Sequence, residues 1–368
     1  MSIKTKYRLI FTAQLLCICI AVLGAISLSF SWFSLEISLI LLSAFILFLV
    51  LDKPRMAVKY EAKQNVFGME NNFEYKYMSG PERREFDKQR QMEMERIVPS
   101  TAILKATHKG PDNPEGEINK LIGLLPTKQK MEEIMARAQF DKSQNKKSTF
   151  CGHFVFYGAP GTGKTTIARI LTSFLYQNKC IKQNKCIEID GNTLKGARPG
   201  DGAKAVDIYV KNAFGGVLFI DEAYSMSTEC IDTLIKLMED FRDKFILILA
   251  GYTYPMNQLL EKNPGFRSRI KEYLNFPNYT ETEAFEIFKK MATDEHLAVE
   301  EDCQAPLTER YKQELRQKDF GNARTIRNIL DESITNHAIN LKKGICPNTC
   351  QNTLIKEDIS TKVNKLEI

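Results

Sequence analysis

The sequence of 368 residues predicts an α/β fold, a parallel sheet flanked by helices, preceded by a transmembrane helical hairpin. Three observations carry this expectation. The short apolar run His153 to Tyr157 feeds the glycine-rich stretch YGAPGTGKTT (Tyr157 to Thr166), and the helix-forming IARILTSFLY follows. A second unbroken apolar run, Val217 to Ile220, ends in Asp221 and Glu222, as a parallel strand buried on both faces would. Two long apolar runs, Leu9 to Phe30 and Phe33 to Leu51, open the chain.

Each opening run is long enough to cross a hydrocarbon core of ~30 Å. Only Ser31 and Trp32 separate them, so the pair would turn back with both ends on one side. Lys4, Lys6 and Arg8 precede the first run, and Lys53, Arg55 and Lys59 follow the second. Basic flanks favour the cytoplasmic face. The expectation is a two-pass membrane protein held through Leu9 to Leu51, with both termini and everything after residue 52 cytoplasmic. A signal peptide is the alternative, but no A-x-A-like site stands out and a second apolar run follows.

From Glu61 to about Pro114 the chain is polar. PERREFDKQRQMEMERIV (Pro81 to Val98) reads as a charged helix, since proline suits a first helical turn, and its mixed charges suggest a solvated stalk. KGPDNPEG (Lys109 to Gly116) reads as a flexible linker before the globular part.

Composition sets outer limits. Lysine plus arginine is 51 and aspartate plus glutamate 45, a net charge of +6, which is mild for a nucleic-acid binder. The nine cysteines form no CxxC pair, and His108, His153, His296 and His337 do not cluster with them. That spacing suits free thiols in a reducing compartment rather than zinc ligands.

The globular part carries one nucleotide motif. Gly158, Gly163, Lys164 and Thr165 satisfy G-x-x-x-x-G-K-[ST] in a strand–loop–helix context. Glycines let successive backbone N–H groups converge on phosphate oxygens, and the helix start presents more. Lys164 is expected on the β and γ phosphates of ATP, and Thr165 on Mg2+. Asp221 is expected in the Mg2+ shell, and Glu222 to polarise a water for attack on the γ-phosphate, the alternative being that the two merely cap a helix. KFILILAGY supplies another apolar strand, Phe245 to Ala250. NPGFRSRI (Asn263 to Ile270) carries Arg267 and Arg269, either surface charge or an arginine finger. FGNARTIRNIL (Phe320 to Leu330) places Arg324 at the start of a helix with Ile326, Ile329 and Leu330 on its apolar face. A second glycine-rich stretch, LKGARPGDGAK (Leu194 to Lys204), fails the phosphate-loop spacing and has no Ser or Thr after its lysine.

These stretches, in this order, resemble the AAA+ ATPases, and closely the CbxX/CfxQ branch with its red-type rubisco activases and stage V sporulation protein K-like proteins. The resemblance covers roughly Ile118 to Ala338, and INKLIGLLPTKQKMEEI, GGVLFIDEAY, LAGY, NPGFRSRI, FPNYT and GNAR match as strings. It implies an AAA+ P-loop NTPase core over residues 117–277 and a small C-terminal helical lid over 278–343. The hairpin (1–52) and stalk (53–116) would precede them, and an extension (344–368) would follow. Carried over, it implies that Gly158, Ala159, Pro160, Gly161, Thr162, Gly163, Lys164 and Thr165, with Thr166, form the Walker A loop. Asp221 and Glu222 become Walker B, and Ile122, Gly123 and Leu124 line the adenine pocket. Arg269 becomes the arginine finger with Arg267 supporting, and Arg324 reaches the γ-phosphate from the lid. At the sensor position after the third strand, where relatives carry Asn or Thr, stand Tyr252 and Thr253. Such proteins usually form hexameric rings, and a finger acting on a neighbour's nucleotide needs that neighbour.

In the branch, a pore loop with an aromatic–aliphatic–Gly pattern grips a polypeptide in the channel. Here the pattern falls on Arg198-Pro199-Gly200, without the aromatic. The loop is left with three readings: a grip on an acidic peptide tail, a grip on a phosphate backbone, or a plain surface loop. The expected function is a membrane-anchored ATPase that remodels or dismantles a complex containing an unknown protein client. The alternatives are an ATP-switched membrane scaffold that recruits partners and, third, a nucleic-acid loader.

Overall fold

The computed structural model describes residues 78–144, 152–317, 320–345 and 351–361. The chain divides into two units, Met1–Arg96 and Ile97–Ile368. In the first, helix α1 (Gly80–Ile97) forms where the charged stretch predicted one. Its start is fixed locally: the Ser79 amide donates to the Glu82 carboxylate at 2.9 Å, three residues on, with Pro81 in the first turn.

Among the described residues no helix is long and apolar enough to cross a membrane. The expected localisation, a two-pass membrane protein with both termini and the ATPase domain cytoplasmic, is corrected on that finding. Helix α1 has the length but carries charge along it, and the apolar runs within Leu9 to Leu51 lie outside the described residues.

The second unit begins with α2 (Ser100–Ala106), β1 (Thr107–His108), α3 (Pro114–Lys120) and α4 (Leu125–Ser143). Then come β2 (His153–Gly158), α5 (Lys164–Gln177), β3 (Cys186–Asp190), a 3-10 turn at Gly191–Lys195, α6 (Asp201–Asn212), β4 (Val217–Asp221) and α7 (Thr228–Asp240). Next are β5 (Ile246–Gly251), α8 (Thr253–Lys262), α9 (Pro264–Arg269) and β6 (Ile270–Phe276). The sheet order is β1-β3-β4-β5-β2-β6. The five long strands run parallel, but β1 pairs antiparallel with β3, so the sheet is mixed rather than purely parallel as expected.

Helices cover both faces of the central strands, which is why these read as unbroken apolar runs; every residue of β5 is buried. Phe156 is the hub of the core, with ring centroids 5.1 Å from Phe276 and 6.4 Å from Phe154 and Phe219. Full burial of one such ring contributes about 2–3 kcal/mol. Strand β6 at the edge alternates instead, burying Ile270, Leu274 and Phe276 and turning Lys271, Tyr273 and Asn275 outward.

The segment Lys109 to Gly116, expected to be a flexible linker, is fixed to the core. The Asn184 side chain bonds both the N–H and the C=O of Gly110, each at 3.1 Å. Ser173 and Gln177 on α5 donate to the carbonyls of Pro111 and Asp112. Proline, glycine and asparagine signal an irregular backbone; side chains some sixty to seventy residues away decide that it is held.

The lid comprises α10 (Glu281–Asp294), β7 (Ala298–Val299), α11 (Gln304–Glu314), α12 (Ala323–Lys342) and β8 (Thr353–Leu354). A capping box, Thr280 with Glu283, starts α10. Phe285, Phe288, Leu307, Tyr311, Ile326 and Leu330 form its core, and Leu354 and Ile359 join them. The chain beyond residue 343 therefore belongs to the lid through Ile359, where the sequence suggested a separate extension. Strand β8 pairs in parallel with β7. Buried Asp358 accepts from Asn340 and from the Ile355 amide and lies 2.8 Å from His337 Nδ1.

Candidate nucleotide site

The carboxyl ends of β2, β4 and β5 open onto one cavity of about 410 Å³, a size that suits a small-molecule ligand. Gly158, Pro160, Gly161, Gly163, Lys164, Thr165 and Thr166 form one wall. Asp190, Asp221, Glu222, Gly251 and Tyr252 come from strand ends, and Leu121, Tyr279, Ala323 and Arg324 close the rest.

The loop owes its path to backbone that other residues adopt poorly. Gly161 (φ 70°) and Gly163 (φ 92°) lie in the left-handed region. A Cβ on Gly161 would also collide with the carbonyl of Gly321 in the lid. Buried Thr162 points inward, its hydroxyl donating to Ala159 O at 2.8 Å, so Ala159 and Thr162 brace the loop without lining the cavity. Lys164 opens α5, and its ammonium donates to Gly158 O at 2.9 Å and Ala159 O at 2.8 Å. Burial holds that ammonium below the usual lysine range, with Arg324 adding to the effect and Asp221 and Glu222 opposing it. An anion in the cavity would relieve this penalty.

The lid is clamped to the loop by a residue to which the sequence assigned no role. Asn322 is fully buried at φ 50°, ψ −118°, a region that L-residues occupy at a cost of about 1–3 kcal/mol. Its amide donates to Pro160 O at 3.3 Å and Asn278 Oδ1 at 3.0 Å, and its Oδ1 accepts from Tyr279 N at 3.1 Å. The next residue, Ala323, donates its N–H to Gly161 O at 3.2 Å. This turn delivers Arg324 to the cavity. The GNAR string carried the signal, with Asn322 as its unexplained member.

Asp221 ends β4, in register with Asp190 at the end of β3, and Glu222 follows it. Glu222 has φ 48° and ψ 41°, and its amide donates to Asp221 Oδ1 at 3.0 Å. Asn192 Nδ2 donates to Glu222 Oε2 at 3.4 Å. Tyr224 and Tyr252 tilt against each other at 6.3 Å beside this pair. Burial, then the Glu222 carboxylate, pushes the Tyr224 phenol up to about 12. Tyr252, left undecided with Thr253 by sequence, is the one of the two that lines the cavity.

Of Ile122, Gly123 and Leu124, none lines the cavity; Leu121 and Tyr279 do. Leu124 is buried and packs in the core, while Ile122 packs against the lid core. The two arginines of NPGFRSRI differ sharply. Arg269 donates to Gly265 O at 2.9 Å and Ser268 Oγ at 3.2 Å and pairs with Glu239 at 3.0 Å. Arg267 is exposed. Neither lines the cavity. In the second glycine-rich stretch, Lys195 to Pro199 is exposed, and Lys204 lies on α6 rather than on the loop. The nearest aromatic residues after that stretch pack inward: Tyr209 is buried, and the Phe214 ring lies 5.0 Å from that of Phe241.

Residues 154–278 match the family described as the ATPase family associated with various cellular activities (AAA), and residues 280–367 match the AAA lid domain. Protein CfxQ of Xanthobacter flavus is 34% identical over 254 residues, covering 65% of this chain and 80% of that protein. Protein CbbX of Cereibacter sphaeroides is 33% identical over 281 residues, covering 71% and 91%. The chloroplastic ribulose bisphosphate carboxylase/oxygenase activase of Cyanidioschyzon merolae is 36% identical over 227 residues, covering 58% and 78%. A cavity walled by a phosphate loop, paired carboxylates and a lid arginine agrees with those relationships: the chain belongs to the CfxQ/CbbX family of AAA ATPases and is an ATPase.

Proposed function

We propose that this ATPase couples ATP hydrolysis to the remodelling or dismantling of a protein complex, working as a hexameric ring. The observation that carries the reading is the meeting of Lys164, Thr165, Asp221, Glu222 and Arg324 on one cavity. One relative's name, an activase of ribulose bisphosphate carboxylase/oxygenase, describes a protein that acts on another protein and supports a protein client here.

In this reading Lys164 and the loop amides hold the phosphates, and Arg324 adds a second cation from the lid. The Thr165 hydroxyl and the Asp221 carboxylate are hard oxygen donors of the kind Mg2+ takes, so these residues fit that ion. Bound there, Mg2+ supplies neutralisation of phosphate charge. Glu222 accepts a proton from water as the water oxygen bonds to the γ-phosphorus. The bond from that phosphorus to the bridging oxygen breaks, and ADP leaves with its electron pair. Tyr279 and Leu121 supply apolar and aromatic surface for the base.

Arg267, rather than Arg269, is the residue we assign to reach a neighbouring subunit's nucleotide, because Arg269 is already tied to Gly265, Ser268 and Glu239. Turnover measured against protein concentration tests this. Arg267→Ala is expected to lose most turnover and to act as a poison when mixed with wild type. Full activity in Arg267→Ala, with loss in Arg269→Ala and an unchanged melting temperature, would reverse the assignment.

A second reading, an ATP-switched scaffold that recruits partners without threading them, is favoured by the exposed Gly196 to Pro199 stretch, which presents no aromatic side chain. Client release that requires ATP binding but proceeds in Glu222→Gln would support the scaffold over the motor.

A further inference from the structure

The chain crosses from the sheet to the lid once, at Pro277 to Thr280, between β6 and α10. Tyr279 sits in that crossing and packs against both hydrophobic cores, that of the sheet and that of the lid. It lines the cavity, and its hydroxyl donates to Thr162 O of the phosphate loop at 3.4 Å. The backbone of the same residue is held from the lid. Tyr279 N donates to Asn322 Oδ1 at 3.1 Å, and Tyr279 O accepts from the Tyr311 hydroxyl at 2.9 Å.

Tyr311 lies on α11, is fully buried and does not line the cavity. A carbonyl can only accept, so the phenol is the donor in this bond. Burial, with Glu283 next in effect, pushes that phenol above the usual tyrosine range, so it keeps its proton. The ring is fixed separately: it meets Phe320 edge-on, with centroids 5.4 Å apart at 75°. Ring and hydroxyl therefore have distinct tasks. The ring packs the lid beside the turn that carries Asn322 and Arg324, and the hydroxyl holds the crossing. Without that hydroxyl, the Tyr279 carbonyl must find another partner or turn toward water. Carbonyl and ring hang on one Cα, so a peptide that turns carries the ring with it.

We propose that Tyr311 is a positioning residue for the nucleobase: from inside the lid, its hydroxyl fixes the peptide of Tyr279 and thereby the ring that the base lies against. The proposal rests on the reading of Tyr279 as surface for the base.

The test uses the full chain, with kcat and KM measured for ATP and an inhibition constant for inorganic tripolyphosphate, which offers phosphates and no base. Tyr311→Phe keeps the ring and removes one oxygen. It is expected to raise KM for ATP about three- to tenfold, the scale of one hydrogen bond. Its kcat and its inhibition by tripolyphosphate are expected to stay at the wild-type values. A lid that had merely loosened would weaken both ligands together, because Arg324 would move as well. Tyr279→Ala is expected to weaken ATP by itself, and adding Tyr311→Phe to it is expected to change KM no further. An unchanged KM for ATP in Tyr311→Phe would overturn the proposal, as would equal weakening of ATP and tripolyphosphate, or additive effects in the double variant. The two levels separate at Tyr279. If Tyr279→Ala leaves KM unchanged, the reading of the base surface fails and the proposal with it; if Tyr279→Ala weakens ATP and Tyr311→Phe does not, only the positioning role fails.

Discussion

Asn322 shows how much one side chain can hold. It sits in a strained backbone conformation, fully buried, and spends its amide on the phosphate loop and on Asn278. Replacing it with glycine removes the conformational strain but also the hydrogen bonds, so the two effects oppose each other in stability. They do not oppose each other at the site, because the clamp that sets Arg324 is lost either way. Asn322→Gly is expected to raise KM for ATP by roughly tenfold, about 1.4 kcal/mol, while the melting temperature moves little; an unchanged KM would show that the lid turn does not set the arginine. His153 offers a pH test. Its Nδ1 accepts from the Leu247 amide at 2.9 Å, and burial, with smaller effects from Arg269 and Lys271, pulls its imidazole down to about 4 from 6.5. Between those values the unfolded chain binds a proton that the native ring refuses. The contribution is therefore fully present above pH 6.5 and lost as pH falls toward 4, by about 3 kcal/mol at most. Urea unfolding of His153→Asn, which keeps an acceptor, should show a shallower decline across that window; parallel curves would contradict the assignment.

At the scale of elements, the lid depends on a segment that looks expendable in sequence. Strand β8 and the turn after it bury Leu354 and Ile359 in the lid core and present Asp358 to His337 and Asn340. Leu354→Ala is expected to cost about 2–5 kcal/mol and to lower the melting temperature of the lid; a loss below 0.5 kcal/mol would mean that the segment is merely laid on the surface. The sequence made the strand–loop–helix around Gly158 and the β4 carboxylates legible because local pattern alone specifies them: an unbroken apolar run, then glycine, lysine and threonine. It did not make β8 legible, because two residues of strand carry no period. Nor did it reveal that Lys109 to Gly116 is pinned, because Asn184, Ser173 and Gln177 act from far along the chain. The adenine side shows the same division. Leu121 lines the cavity where Ile122 to Leu124 were expected, a difference set by how α3 ends rather than by which residues are apolar.

For the whole molecule, the proposed account joins the described cavity, its lid arginine Arg324 and the lid turn into an ATP site with Glu222 as the base and Lys164 as the phosphate cation. Arg267 stands outside the cavity, so in this account full turnover needs a second copy of the chain, and specific activity should rise with protein concentration until assembly is complete. Glu222 tests the centre of the account. ATP hydrolysis and ATP affinity are to be measured together for the full chain and for Glu222→Gln. The account predicts turnover reduced by about a hundredfold or more, on the scale of a lost general base, with ATP affinity retained. Hydrolysis by Glu222→Gln at the wild-type rate would contradict it.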